Sequence, residues 1–221
     1  MMMFEHDLVY RQDLKRLQTP WGRFYEVEDG IAYPSVTTVL DKCFDKKYLD
    51  QWRERVGKKE ALLVTKTAAT KGTVIHRMAE QFLMNEDYTL GDVMSLQIAS
   101  FKPVAKVLTE NVTLVHGCEL PLYCHELKTA GTTDLLCDWN GEAAIVDFKT
   151  SRRQKTVKDI ESYFVQAATY AYMAEATYGL TIRKIMIIML VEHEFWPTIF
   201  EADPHDYYDT VKKYFKENEN D

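Results

Sequence analysis

A chain of 221 residues with 46% hydrophobic and 28% charged side chains suits one domain with a substantial core. Its 34 Asp and Glu outnumber 27 Lys and Arg, and the net charge of −7 argues against indiscriminate coating of nucleic acid. No apolar run reaches membrane-spanning length, residues 185–191 being strand-sized, and the acid-bearing start MMMFEHDLVYRQDLKR has no signal-like apolar core, so a cytoplasmic protein is expected.

The charge is unevenly spread. Between Lys42 and Arg77 ten Lys and Arg meet four acids, a net of +6 that leaves −13 for the remainder. A basic stretch in an acidic protein suggests a DNA path confined to one region. The four cysteines, Cys43, Cys118, Cys124 and Cys137, form no C-x-x-C and read as buried free thiols.

Residues 1–20 have no clear periodicity and are expected to form a partly ordered lead-in. Residues 22–33 alternate about Asp29-Gly30 and read as a small hairpin. Pro34 fits a first helical turn, so a short helix to about Lys42 follows. Residues 46–66 are helix-like, with Tyr48, Leu49, Trp52, Val56 and Leu62 or Leu63 on one face. Trp52 beside Arg53 and Arg55 suits stacking and backbone contact with a single strand; a plain amphipathic helix with a solvated basic face reads equally well. Thr73 is placed to cap a helix in which His76 and Glu80 share a face. Residues 92–110 form a further amphipathic helix, and residues 112–122, with Glu119, a strand.

Residues 132–139 and 142–150 read as two strands turned by Asn140-Gly141, a strong hairpin signal. Asp134 lies on the first, and Asp147 and Lys149 share one face of the second. The neighbours Ala143, Ala144, Ile145, Val146 and Phe148 are those of a strand buried on both faces. Two carboxylates and an ammonium there are costly unless they hold a cation or each other. A buried Asp–Lys salt bridge would explain the pair but not the second Asp. Asp134 and Asp147 suit Mg²⁺ or Mn²⁺, with the Phe148 carbonyl completing the coordination, and Lys149 would orient or help deprotonate the attacking water. Beyond the hairpin, Arg152, Arg153 and Lys155 are phosphate contacts or an exposed charged loop. Residues 157–178 form a long helix, 181–191 a buried strand, 194–201 an edge strand, 204–216 a closing helix and 217–221 an acidic frayed tail.

Gly131-Thr-Thr-Asp134, Ile145-Val-Asp147-Phe-Lys149-Thr-Ser151 and Gln166-Ala-Ala-Thr-Tyr170 together resemble the RecB-like branch of the PD-(D/E)XK nuclease superfamily. Gly72-x-x-x-His76-x-x-x-Glu80 and Pro34-Ser-Val-Thr extend the likeness, which is nearest to the phage and mitochondrial single-strand DNA exonucleases. Thr133 stands where a strict Pro-Asp would have proline. The resemblance implies an α/β, restriction-endonuclease-like mixed central sheet flanked by helices, with an N-terminal helical elaboration. It implies one nuclease domain over 1–221: lead-in and hairpin to 33, a helical DNA-guiding part at 34–110, a catalytic sheet core at 111–216 and the tail. It carries catalytic roles to Asp134, Asp147, Lys149, Gln166 and Tyr170, makes His76 a metal ligand and places Glu80 behind it. Glu119 and Glu126 compete for an acid one strand ahead, Glu119 being preferred. The implied activity is Mg²⁺- or Mn²⁺-dependent exonucleolytic hydrolysis of DNA, preferably single-stranded with a free end, in replication, repair or recombination. The compartment would be the host cytoplasm for a viral protein. No iron–sulfur cluster is expected, because relatives that carry one have cysteines after the nuclease motifs. An endonuclease or a double-strand-resecting recombination exonuclease is the alternative enzyme, and a catalytically silent DNA-binding subunit the alternative of another class.

Overall fold

The computed structural model describes residues 3–28, 30–44, 47–91 and 93–217. Asp29 of the expected turn, the expected helix starts Lys46 and Asp92, and the tail beyond Glu217 lie outside these, as do the side chains of Tyr48 and Leu49. In chain order come strands β1 (Lys15–Thr19), β2 (Gly22–Glu28) and β3 (Ile31–Pro34), then helices α1 (Val36–Cys43), α2 (Lys47–Val56), α3 (Lys58–Leu83) and α4 (Ser95–Asn111). Strands β4 (Val112–Cys124), β5 (Thr129–Trp139) and β6 (Glu142–Ser151) precede α5 (Glu161–Tyr178), β7 (Lys184–Val191), β8 (Thr198–Ala202) and α6 (Tyr208–Glu217). Short 3₁₀ turns lead into α5 and α6. Among the described residues no helix is long and apolar enough to cross a membrane.

The main sheet has the order β4-β5-β6-β7-β8, antiparallel except for the parallel pair β6–β7 at its centre. That pair is buried on both faces, which explains its unbroken apolar composition. Side chains of β6 alternate between two cores. Ile145 points to one with Phe164, Ala168, Ile187 and Phe215 from α5, β7 and α6; Val146 and Phe148 point to the other with Met78, Phe101 and Leu108 from α3 and α4. Ala167, Ala168, Ala171 and Ala174 let α5 lie close to the sheet. The result is the mixed α/β sheet flanked by helices that the motifs imply.

Several local expectations are corrected. The lead-in is tied down: Asp7 N–H donates to Val115 O at 3.0 Å, Val115 N–H to Glu5 O at 2.9 Å, and β1 pairs with β2. Its partner β4 lies about a hundred residues on, so no local pattern announces it. The hairpin of β2 and β3 forms as expected, but Pro34 ends β3 and Ser35 is the helix cap, its Oγ accepting Thr38 N–H at 3.1 Å. The helix expected over 46–66 breaks at Gly57, whose φ of +85° favours glycine, and Leu62 and Leu63 beyond it are exposed rather than packed. Thr73 does not start a helix. It lies inside α3 and its hydroxyl bonds back to Ala69 O at 3.0 Å, because the run through Ala68 and Ala69 carries the helix far upstream. β7 begins at Lys184 rather than Thr181, and β8 at Thr198, the residues from Glu194 to Pro197 forming the connection instead of strand.

Candidate active site

The Asn140-Gly141 turn holds β5 and β6 together only near their joined ends. Both turn residues have positive φ, 53° and 82°, the geometry whose twist suits a two-residue hairpin. Pairing runs from Trp139↔Glu142 to Leu135↔Val146 and stops. Beyond that point β5 stays with β4 and β6 stays with β7, so the strands part as a fork. Asp134 and Asp147 are the first residues inside it.

Side chains take over the hydrogen bonds that the parting strands leave unmade. Phe148 N–H donates to Asp134 Oδ2 at 2.8 Å, and the Phe148 carbonyl lies 2.9 Å from His76 Nε2. One backbone unit therefore fixes both a carboxylate from β5 and an imidazole from α3. The other ring nitrogen, Nδ1, lies 3.2 Å from Asp134 Oδ1 and 3.7 Å from Glu119 Oε1. Glu119 falls between the pairs Cys118↔Leu135 and Leu120↔Thr133, hence opposite Asp134, and holds a φ of +44° in the middle of a strand. A non-glycine residue held there costs about 1–3 kcal/mol, and such strain concentrates at functional sites. His76, Glu119 and Asp134 each offer one ligand atom within 4.8 Å of the others.

Asp147 is buried on the α5 side of the fork. Its Oδ1 accepts Lys149 Nζ at 2.8 Å and Gln166 Nε2 at 3.4 Å, while Gln166 Oε1 accepts the same ammonium at 3.3 Å. Asp147 Oδ2 is 2.6 Å from Nζ but out of line, and it takes no hydrogen bond. Lys149 also lies over the Tyr163 ring, 5.1 Å from its centre, and Lys155 donates to the Tyr163 hydroxyl at 2.9 Å. Tyr170, buried one turn after Gln166, presses on the start of the Gly-Thr-Thr-Asp stretch. A Cβ on Gly131 would come within 2.8 Å of its ring, so a larger residue there requires the ring or the strand to shift.

The electrostatics follow from this crowding. Burial opposes the His76 imidazolium, but the Asp134 and Glu119 carboxylates outweigh it and push the pKa up to about 10. Burial raises the Asp147 pKa and Asp134 adds to it, against the pull of Lys149. Burial also opposes charge on Lys149, yet Asp147 and Asp134 hold its pKa above the ordinary value. Burial raises Tyr170, which stays a phenol.

The fork thus gathers His76, Glu119, Asp134, Asp147, Lys149, Gln166 and Tyr170. Glu119 stands among the potential ligands, and the Phe148 carbonyl, expected to complete a cation's coordination, lies against His76 Nε2. Glu80 is not bonded to His76, whose partners are Phe148, Asp134 and Glu119; burial and Glu119 raise the Glu80 pKa. Glu126 is engaged elsewhere by the Tyr172 hydroxyl at 2.6 Å. Arg152 and Arg153 are exposed beyond β6, Arg152 being 3.8 Å from Glu192. Trp52, Arg53 and Arg55 lie on α2, which packs on α3. Tyr163 and the role of Gly131 escaped sequence reasoning, although an aromatic three residues before Gln166 was visible.

Residues 96–190 match the PD-(D/E)XK nuclease superfamily. The matched stretch holds Glu119 and the Asp134-to-Tyr170 residues, with His76 upstream. Mitochondrial genome maintenance exonuclease 1 of Mus musculus is 25% identical over 168 residues, covering 72% of this chain and 49% of the relative. Its counterpart from Xenopus tropicalis is 24% identical over 145 residues, covering 62% and 42%. The chain spans about half the length, or less, of these curated relatives. A solved structure described as a candidate exonuclease from Eubacterium rectale aligns at 13% identity with a TM-score of 0.43, covering 66% of this chain and 64% of that one.

Proposed function

We propose that the chain is a divalent-metal-dependent nuclease that hydrolyses DNA phosphodiester bonds, acting on single strands from a free end. The observation that carries this is the fork, where three potential ligands and a buried Asp–Lys pair meet on one open edge of backbone. The fit to a cation rests on the convergence of His76, Glu119 and Asp134, three donors of the kind a divalent ion takes. His76, Glu119, Asp134 and Asp147 would hold the ion. Bound there, Mg²⁺ or Mn²⁺ supplies charge against the scissile phosphate and acidifies water for attack.

The chain's own groups do the rest. With Nε2–H donated to the Phe148 carbonyl, His76 would offer Nδ1 beside Asp134 and Glu119 once a bound cation displaces the proton it carries there. Lys149, held protonated by Asp147, acts as a fixed cation that offsets charge developing on phosphate oxygens rather than as a base. Gln166 spans Asp147 and Lys149 and keeps that ammonium aimed. Tyr170 against Gly131 sets the position of β5, and so of Asp134.

The preference for single strands is supported by the basic stretch from Lys42 to Arg77, whose Lys58, Lys59, Lys66 and Lys71 are exposed on α3 ahead of His76. The deciding experiment digests end-labelled linear and covalently closed single strands with Mg²⁺, with Mn²⁺ and with EDTA. Linear strands should shorten with metal and persist in EDTA. Cleavage in EDTA would overturn the metal reading, and rapid cutting of circles would replace the exonuclease with an endonuclease.

A further inference from the structure

The connection between β7 and β8 carries two aromatic rings that the core does not use. Phe195 and Trp196 are 71% and 50% exposed, adjacent in sequence, and packed edge to face with centres 5.2 Å apart. Lys106 from α4 lies over the indole, 5.2 Å from its centre. Leaving two large rings in water forgoes the burial that would stabilise them, and such surfaces mark places of contact.

Their position relates them to the fork. β7 runs parallel to β6 with Lys149 opposite Met189 and Ser151 opposite Val191. Glu192 N–H then donates to Ser151 O at 2.9 Å, so the connection starts beside the end of the catalytic strand. That point is roughly 7 Å along the strand from Lys149, two residues at about 3.4 Å each. The surroundings favour phosphate. Arg152, Lys71 and Lys106 stand around the connection; Lys71 at 2.5 Å and Arg152 at 3.8 Å share Glu192, and Lys106, over the indole, is also 3.7 Å from Glu110.

We propose that Phe195 and Trp196 form a stacking platform for the bases of a single-stranded nucleic acid whose backbone occupies the fork, a proposal that rests on the nuclease reading. Rings beside cations grip a flexible strand without reading its sequence, because every base has a π-face and every nucleotide a phosphate. A duplex keeps its bases stacked on one another and cannot use the platform. The surface therefore selects against paired DNA at the point where the strand meets the site.

The test uses the full chain carrying Asp134→Asn, so that a bound strand is not consumed. Affinity for a labelled oligonucleotide is measured by anisotropy for this parent and for the further double substitution Phe195→Ala, Trp196→Ala. Each protein is offered an intact strand and one abasic at several consecutive positions. The platform predicts that the double substitution weakens the intact strand about 5- to 100-fold and leaves the abasic strand unchanged. Equal affinity of both proteins for the intact strand, or an equal loss on both strands, overturns it and assigns the rings to another kind of partner. Hydrolysis of a small aryl phosphodiester by the unsubstituted chain with Mn²⁺ is followed in parallel. No hydrolysis with a base-dependent loss of binding removes the nuclease reading and keeps the platform; hydrolysis without that loss does the reverse.

Discussion

His76 has two protonation states with different partners, and this links metal, proton and stability. In the metal-free chain its pKa of about 10, against an ordinary 6.5, means that the folded state holds the proton more tightly than the unfolded one. The resulting stabilisation is complete below pH 6.5 and is lost as pH rises through about 10. A cation using Nδ1 must displace that proton. Cation affinity is then expected to rise with pH across this window, with proton uptake by buffer visible when calorimetry is repeated in buffers of different ionisation heat. His76→Ala should abolish the proton release and weaken cation affinity about 10–100-fold. Binding without proton release would remove His76 from the ligand set. Lys149 plays a different part, since its ammonium is already paired in the resting state. Lys149→Ala should lower kcat about 10²- to 10³-fold with strand affinity nearly unchanged, as for other groups that act on developing charge. A change confined to KM would make it a simple phosphate contact.

Among the elements, β5 and α5 meet through a contact whose consequence is measurable. The Tyr170 ring occupies the space where Gly131 would carry a Cβ, so the Gly-x-x-Asp and Gln-x-x-x-Tyr stretches are two sides of one joint. Gly131→Ala forces either the ring or β5 to shift. Overpacking of this kind costs about 1–3 kcal/mol, and the displaced strand carries Asp134, so both the denaturation midpoint and cleavage should fall. An unchanged midpoint would mean that the ring yields freely. This joint also marks the limit of what could be read from sequence. Asp134, Asp147 and Lys149 were legible because one local turn, Asn140-Gly141, brings them together. Gln166 and Tyr170 were legible only through resemblance, since their spacing alone describes any helix. The place of Glu119 depends on the register of β4 against β5, and the docking of residues 4–9 on a strand far away. The break at Gly57 was hidden because apolar spacing continues through it, although Leu62 and Leu63 then face solvent. Fold class followed from motif order; partners distant in sequence did not.

For the molecule as a whole, the proposed function makes the separation of charge the guide for an approaching strand. The body carries −13 outside the stretch from Lys42 to Arg77, which itself carries +6, so a duplex laid broadly over the surface is repelled while a strand held to α2 and α3 is attracted. α3 makes the connection physical: its exposed lysines precede, on one continuous helix, the His76 that sits in the fork. On the proposed reading, a phosphate bound at α2 would belong to the same path as one at Lys149. Binding there releases counterions, and each single-strand contact contributes about 0.7 to the slope of log affinity against log salt. Arg53→Glu with Arg55→Glu should therefore weaken single-strand binding and flatten that slope by about 1.4 if both residues touch phosphate. Cation affinity, measured on the same protein, should not move. A strand guided along a helix before it reaches the fork is best introduced by its end, so the loss should be larger for linear strands than for closed circles of equal length. An unchanged salt slope would place the path elsewhere on the surface and leave the basic face of α2 as a solvated one.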